Sequence, residues 1–387
     1  MNKGNLAMTL VLNEEQLMLK ESAQGFLAEC APVSELRKQR DAGSETGYAD
    51  NLWPQMVNMG WAAVLVPEAF GGLNFGHVGM GQLIEQSGRT LTPSPLFASA
   101  IVGASAINLA GTEAQKECYL NAIAAGELTL SLAVDETAHH GPENISLSAD
   151  KQKEGGYLLN GKKLFVVDGT TADKFIVVAR TAGEVGDTQG ISLFLVDSAA
   201  KGVETQRVDM VDSRNYAEIS FNKVSVDAES LLGEEGAGFT ILSSVLDIAN
   251  AHLSAELLGI CLETFERTLQ YLKDRKQFGV SIGSFQALQH RAAHWWSEIE
   301  MAKSLVLKTL QGLDSGAEQI STLVSATKAK LSELAELSTN EAIQMHGGIG
   351  MTDEYEIGFF IKRARPAQTL YGDYSYHANR FASLKGY

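Results

Sequence analysis

The 387-residue chain holds only three cysteines, Cys30, Cys118 and Cys261, and no two of them stand at a metal-binding or redox spacing. An odd, scattered set builds no disulfide framework; a reducing compartment is its simplest account, so a cytoplasmic protein is expected. Positive charge is also short: 31 Lys and Arg face 47 Asp and Glu, a net −16. Without a basic stripe to neutralise phosphates, no nucleic-acid partner is expected. The acidic surplus is scattered rather than blocked and reads as a solvated surface. No stretch reaches the roughly 18 uninterrupted apolar residues of a membrane span. The opening MNKGNLAMTLVLNEEQ has one Lys and an apolar patch soon broken by Asn13, Glu14 and Glu15, which fits neither a signal peptide nor an anchor. His139 and His140 adjoin each other without a third ligand at a workable distance, so they read as a polar loop and no metal is expected.

What is present is periodicity that changes twice. Residues 1–125 read as a helical domain, with Asn13 before Glu14 and Glu15 as a helix start and a Pro67 to Gly72 connection between helices. Over residues 126–232 short apolar runs alternate with turn signals, and Asn160-Gly161 between two of them predicts a hairpin. This is a β domain of barrel or sandwich type. Residues 233–387 return to steps of three and four, from Phe239 to Leu269, Phe285 to Leu305 and Ile320 to Leu337, which predicts long antiparallel helices packed as a four-helix bundle. The fold class is therefore α+β. Trp295 and Trp296 read as core or interface residues.

Two stretches exceed what folding needs. DRKQFGVSIGSFQALQH, Asp274 to His290, joins two helices through a turn carrying Arg275, whose planar fork suits a phosphate better than the point charge of Lys276 does. Ser284 is positioned to cap the helix that follows and to leave backbone N–H groups for an anion. Farther on, Gln344-Met345-His346-Gly347-Gly348-Ile349-Gly350 puts three glycines in four residues at a helix end, where one would suffice as a cap.

Helices, a β domain, then a bundle holding R-x-x-F-G with F-Q and later Q-x-H-G-G-x-G resemble the acyl-CoA dehydrogenase family of flavoenzymes along nearly the whole chain. The end, Tyr371 to His377, is similar to the small subunits of pimeloyl-CoA-type members. The resemblance implies FAD between the β domain and the bundle of a homo- or hetero-tetramer, with an acyl-CoA substrate and an electron-transferring flavoprotein as acceptor. It implies that Arg275 and Phe278, with Gln286 nearby, reach the diphosphate and adenine side of FAD from a neighbouring subunit, and that Gln344, Gly347 and Gly348 line the same half. Phe165 stands where the family usually has a Trp beside the flavin, and Val167 lacks the hydroxyl common there.

Members of the family remove a proton α to the thioester with a Glu while a hydride leaves the β carbon. The usual Glu position falls on Tyr371, followed by Gly372 and Asp373, and the alternative position falls on Ala249, followed by Asn250. Of the loop T-E-P-x-A-G-S-D, the chain keeps only Glu136 in Asp135 to Gly141. Three accounts stay open. A partner chain supplies the Glu; or Asp373 or Tyr371 is the base; or the fold runs another flavin reaction or serves as a non-catalytic flavin-binding subunit. Asp247, near Ala249, is a further carboxylate, read as a surface or CoA-side polar group. The acyl chain is not readable from periodicity.

Overall fold

The computed structural model describes residues 10–387, so part of the stretch read against a signal peptide lies outside the described residues. Helix α1 (Glu14–Cys30) starts at Asn13, whose side chain accepts from the Gln16 amide while Gln16 returns a bond to the Asn13 amide. That reciprocal cap fixes the start predicted from the sequence. Then follow α2 (Val33–Asp41), α3 (Leu52–Asn58) and α4 (Gly76–Thr90), a π-helical stretch over Leu96–Gly103 that runs into α5 (Ala104–Ala110), and α6 (Glu113–Ala124).

Eight strands make the middle domain: β1 (Leu130–Ala133), β2 (Ser148–Lys151), β3 (Tyr157–Val167), β4 (Lys174–Arg180), β5 (Ile191–Asp197), β6 (Val203–Arg207), β7 (Tyr216–Val226) and β8 (Leu231–Leu232). Their order is β6-β7-β3-β2-β4-β5-β8, with β1 running parallel beside β4. Leu159, Phe175, Val177, Phe194, Ile219 and Phe221 fill the interior. The opposite faces of β4 and β5, with Ile176, Val178, Leu193 and Leu195, pack on the helices. Burial on both faces is why these two strands read as unbroken apolar runs while β7 alternates. Asn160-Gly161 is not a hairpin. It lies inside β3, at a shift of register against β7, where Asn160 Oδ1 accepts from Lys223 N at 2.9 Å and Gly161 has φ +144°. A Cβ on Gly161 would meet Leu147 at 2.8 Å, so the dipeptide that favours a turn is used for a bulge.

The C-terminal part comprises α7 (Gly238–Asp274), a hairpin of β9 (Lys276–Gln277) and β10 (Val280–Ser281), α8 (Gln286–Ser315), α9 (Ile320–His346), α10 (Ile357–Thr369) and α11 (Tyr374–Lys385). The stripe predicted for α7 is wider than a stripe: every residue from Val245 to Leu262 is buried. Helices α4, α8, α9 and α10 surround it, and α4 crosses closely because a Cβ on Gly88 would lie 2.2 Å from Glu256 O and one on Gly259 2.0 Å from Glu85 O. By length and composition α7 is the one described helix that could cross a membrane, but its apolar window is wholly inside the bundle. Trp295 is core, donating to Ser338 Oγ at 2.8 Å, whereas Trp296 is partly exposed. Ser284 does not cap α8. Its hydroxyl donates to Ser281 O at 2.7 Å, and Phe285 is the residue before the helix.

Candidate active site

The loop after β1 is fixed to β3 by a buried ion pair. Lys163, fully buried, donates to Val134 O at 2.8 Å and to Glu136 Oε1 at 2.7 Å. Burial pulls its ammonium down to about 8, against the pull of Glu136. Burial raises the Glu136 carboxyl, but the Lys163 charge and hydrogen bonds from Lys163, Ser146 and Leu147 outweigh it and hold the group below its ordinary value. Glu136 is thus engaged in holding the loop. One residue earlier, Asp135 Oδ1 stands 2.8 Å from His140 Nδ1. The same strand bulges between Lys163 and Val166, which gives Phe165 a φ of +52° and turns it out of register.

Two cavities meet at this loop. One, of about 100 Å³, is lined by Asp135, Thr137, His140, Phe165, Tyr216 and Thr369 among others. The other, of about 270 Å³, is lined by His140, Phe239, Asn250, Tyr371, Tyr376 and Arg380 with their neighbours. His140 belongs to both. Their far wall is the turn between α10 and α11, and it is held firmly. Buried Lys328 donates to the carbonyls of Gln368, Leu370 and Gly372 at 3.1, 3.0 and 3.0 Å, and Tyr371 O accepts from Asn250 Nδ2 and pairs with His377 Nε2, both at 3.1 Å.

The residues considered as bases are separated by this turn. Tyr371 lines the larger cavity, buried, with φ +54° and its ring stacked 6.4 Å from Phe97. Burial and the negative charge of Asp135 push its phenol well above its ordinary value, so it stays protonated. Asp373 lines neither cavity. It caps α11, its Oδ1 accepting from Tyr376 N at 2.8 Å, and lies exposed beside Glu336 and Arg365. Ala249 is buried, and Asn250 keeps its Oδ1 buried without a donor. Asp247 is buried rather than on the surface, paired with Arg380 at 2.6 Å and accepting from Ser321 at 2.5 Å.

The other group of site residues gathers at the far end of α7. Lys276 to Ser281 form a two-residue hairpin with Phe278 and Gly279 both at positive φ, 53° and 80°. That turn leaves Phe278 92% exposed. Arg275 is exposed, and its guanidinium has no hydrogen bond or ion pair among the described residues. Leu272, Ile282 and Met345 pack together, and Tyr271 stacks 4.4 Å from His346, so the basic turn and the glycine turn are stapled side by side. Gln286, Gln344, Gly347 and Gly348 are exposed at this end, and a Cβ on either glycine would meet nothing. Among the described residues no cluster of three metal-ligating side chains exists.

Three models of acyl-CoA dehydrogenase domains match in order: the N-terminal domain at residues 13–127, the middle domain at 133–224 and the C-terminal domain at 236–383. The chain belongs to the acyl-CoA dehydrogenase family. Mitochondrial isovaleryl-CoA dehydrogenase of Arabidopsis thaliana is 29% identical over 92% of this chain and 88% of its own. Among solved structures, butyryl-CoA dehydrogenase of Megasphaera elsdenii superimposes with a TM-score of 0.91 at 26% identity, covering 98% of this chain and 100% of that one. The FAD complex of PigA gives 0.89 at 26% identity with the same coverage, and the two-chain Tcur3481-Tcur3483 steroid enzyme gives 0.86 at 27%, covering 97% and 98%.

FAD is the family's cofactor, and the residues here fit it. Arg275 offers an unpaired fork, Phe278 an open aromatic face and Gly347-Gly348 an unobstructed backbone to a dinucleotide, while Phe165 walls the smaller cavity as a flavin would need. Each of these residues stands in a motif that the sequence carries. The sequence does not reveal the Asp135–His140 pair, since a histidine without metal-ligand spacing carries no signal of its partner, nor the buried cluster of Asp168, Asp212, Arg214, Glu256 and Arg363.

Proposed function

We propose that the chain is an FAD-dependent acyl-CoA dehydrogenase that desaturates a thioester between its α and β carbons, working in an oligomer whose FAD is shared between subunits. The observation that carries this reading is the pair of adjoining cavities with His140 in the wall of both: one beside Phe165 suits a flavin edge, the other beside Tyr371 suits the acyl end of a thioester. The bound flavin supplies the hydride acceptor for the β carbon. The chain's residues do the rest. Phe165 and Tyr216 wall the flavin side, Phe239 and Leu246 wall the acyl side, and Asn250 Oδ1 offers an unused polar atom there. Length supports sharing: about 36 Å of helix at 1.5 Å per residue lies between Asn250, in the wall of the acyl cavity, and Asp274, which favours a hairpin that serves the cofactor of a second subunit. An electron-transferring flavoprotein is the acceptor that fits such an enzyme.

A second reading is favoured by one finding: every carboxylate at the site is paired, capping or outside it. On that reading the chain is the partner subunit of a two-chain enzyme, built as the Tcur3481-Tcur3483 pair is, and lends its hairpin to a partner's FAD. The test is turnover of butyryl-CoA and isovaleryl-CoA by the purified chain with an artificial electron acceptor, followed by mass spectrometry. A product lighter by two hydrogens supports desaturation by this chain alone. No product until a second family chain is co-expressed supports the partner reading.

A further inference from the structure

We propose that His140, oriented by Asp135, is the catalytic base that takes the α proton; this deepens the desaturation reading and rests on it. The family position for the base holds Tyr371, and burial keeps that phenol protonated. Asp373 faces away as a helix cap, Asp247 is neutralised by Arg380, and Glu136 is tied to Lys163. His140 is the one imidazole that borders both cavities. Asp135 accepts only, so the 2.8 Å contact makes Nδ1 the protonated nitrogen and leaves the Nε2 lone pair to act. No described protein group bonds Nε2. The arrangement is the one in which an aspartate fixes the tautomer and angle of an imidazole and then stabilises the imidazolium.

The ring is also fenced. Tyr376 meets it edge-on at 5.0 Å and Tyr371 at 6.1 Å, and its side chain is only 3% exposed, so bulk water is kept from the proton it holds. In the step itself the Cα–H bond breaks and its proton goes to Nε2. Its electron pair becomes the second bond between Cα and Cβ, and the β hydrogen leaves with its own pair to the flavin. Asp135 faces the imidazolium so formed, while the loop carrying both residues is anchored through Glu136 to β3.

The test isolates the proton step. Wild-type and H140Q, D135N and D373N proteins, each loaded with FAD, are incubated in deuterated water with β-thiabutyryl- and β-thiaoctanoyl-CoA, whose β sulfur has no hydride to give. Mass spectrometry reads deuterium at the α carbon, and the visible spectrum and thioester affinity check that the site is intact. H140Q should lose exchange by about a hundredfold or more, the range of general-base catalysis, with flavin and thioester binding retained. D135N should lose at least about tenfold, and D373N, whose carboxylate lines neither cavity, should exchange as wild type does. Independently of turnover, proton NMR should show a low-field imidazole N–H signal that vanishes in both H140Q and D135N. Wild-type exchange that persists in H140Q overturns the His140 assignment alone. No exchange in wild type, with no flavin reduction by butyryl- or isovaleryl-CoA, overturns the desaturation reading and this assignment with it.

Discussion

Asp168 follows the β3 bulge at φ +55° and buries both carboxylate oxygens without a hydrogen-bond donor. Burial pushes its carboxyl up to about 6, against the nearby Arg214 and Arg363 guanidinium groups. The folded state therefore holds this proton more tightly than the unfolded chain does. Stability linked to it is full below about pH 4 and is lost as pH rises through about 6. Asp168→Asn keeps the shape and removes the charge, so we expect it to be no better than wild type near pH 4 and more stable near pH 7 by up to about 3 kcal/mol. Thermal melts of both proteins across that range decide it, and a variant that melts lower near pH 7 would refute the argument. Sequence reading missed this residue and His140 for one reason: what each does depends on neighbours brought in from other elements, and no spacing rule reports those.

Among the elements, the turn from α10 to α11 depends on a single side chain. Lys328 reaches up from α9 and supplies donors to three carbonyls that would otherwise be buried without partners. Lys328→Met should cost about 3 kcal/mol in urea unfolding, given about 1 kcal/mol or more for each acceptor left unmet, and should weaken thioester binding because Tyr371 rides on that turn. Equal stability of the two proteins would show that the carbonyls find other donors. Gly161→Ala should cost about 1–3 kcal/mol through the contact with Leu147 and the positive φ, and thermal melts check this directly. The helices of the bundle were legible because burial on one side leaves a period in the sequence. The edge strand β6 was not, since Val203 to Arg207 is mostly exposed, and the bulge at Asn160-Gly161 carried the same dipeptide signal as a hairpin.

For the whole molecule, the account requires that one subunit's hairpin reach another's flavin site. Arg275→Ala should bind FAD at least about tenfold more weakly, as loss of a charge-assisted hydrogen bond implies, with an unchanged melt of the FAD-free protein. Co-expressed with H140Q under separate affinity tags, it should give mixed oligomers that regain both FAD and turnover, because one copy then supplies Arg275 and the other His140. Mixed oligomers that hold FAD only on the H140Q copy and turn nothing over would confine the cofactor to one chain. The measurement that bears most directly on the central claim is an anaerobic titration of the purified FAD-loaded chain with butyryl-CoA and isovaleryl-CoA, followed in the visible flavin band. The account predicts bleaching by at least one thioester, with the matching enoyl-CoA recovered. A flavin band that neither thioester reduces, in protein that binds them, would contradict it.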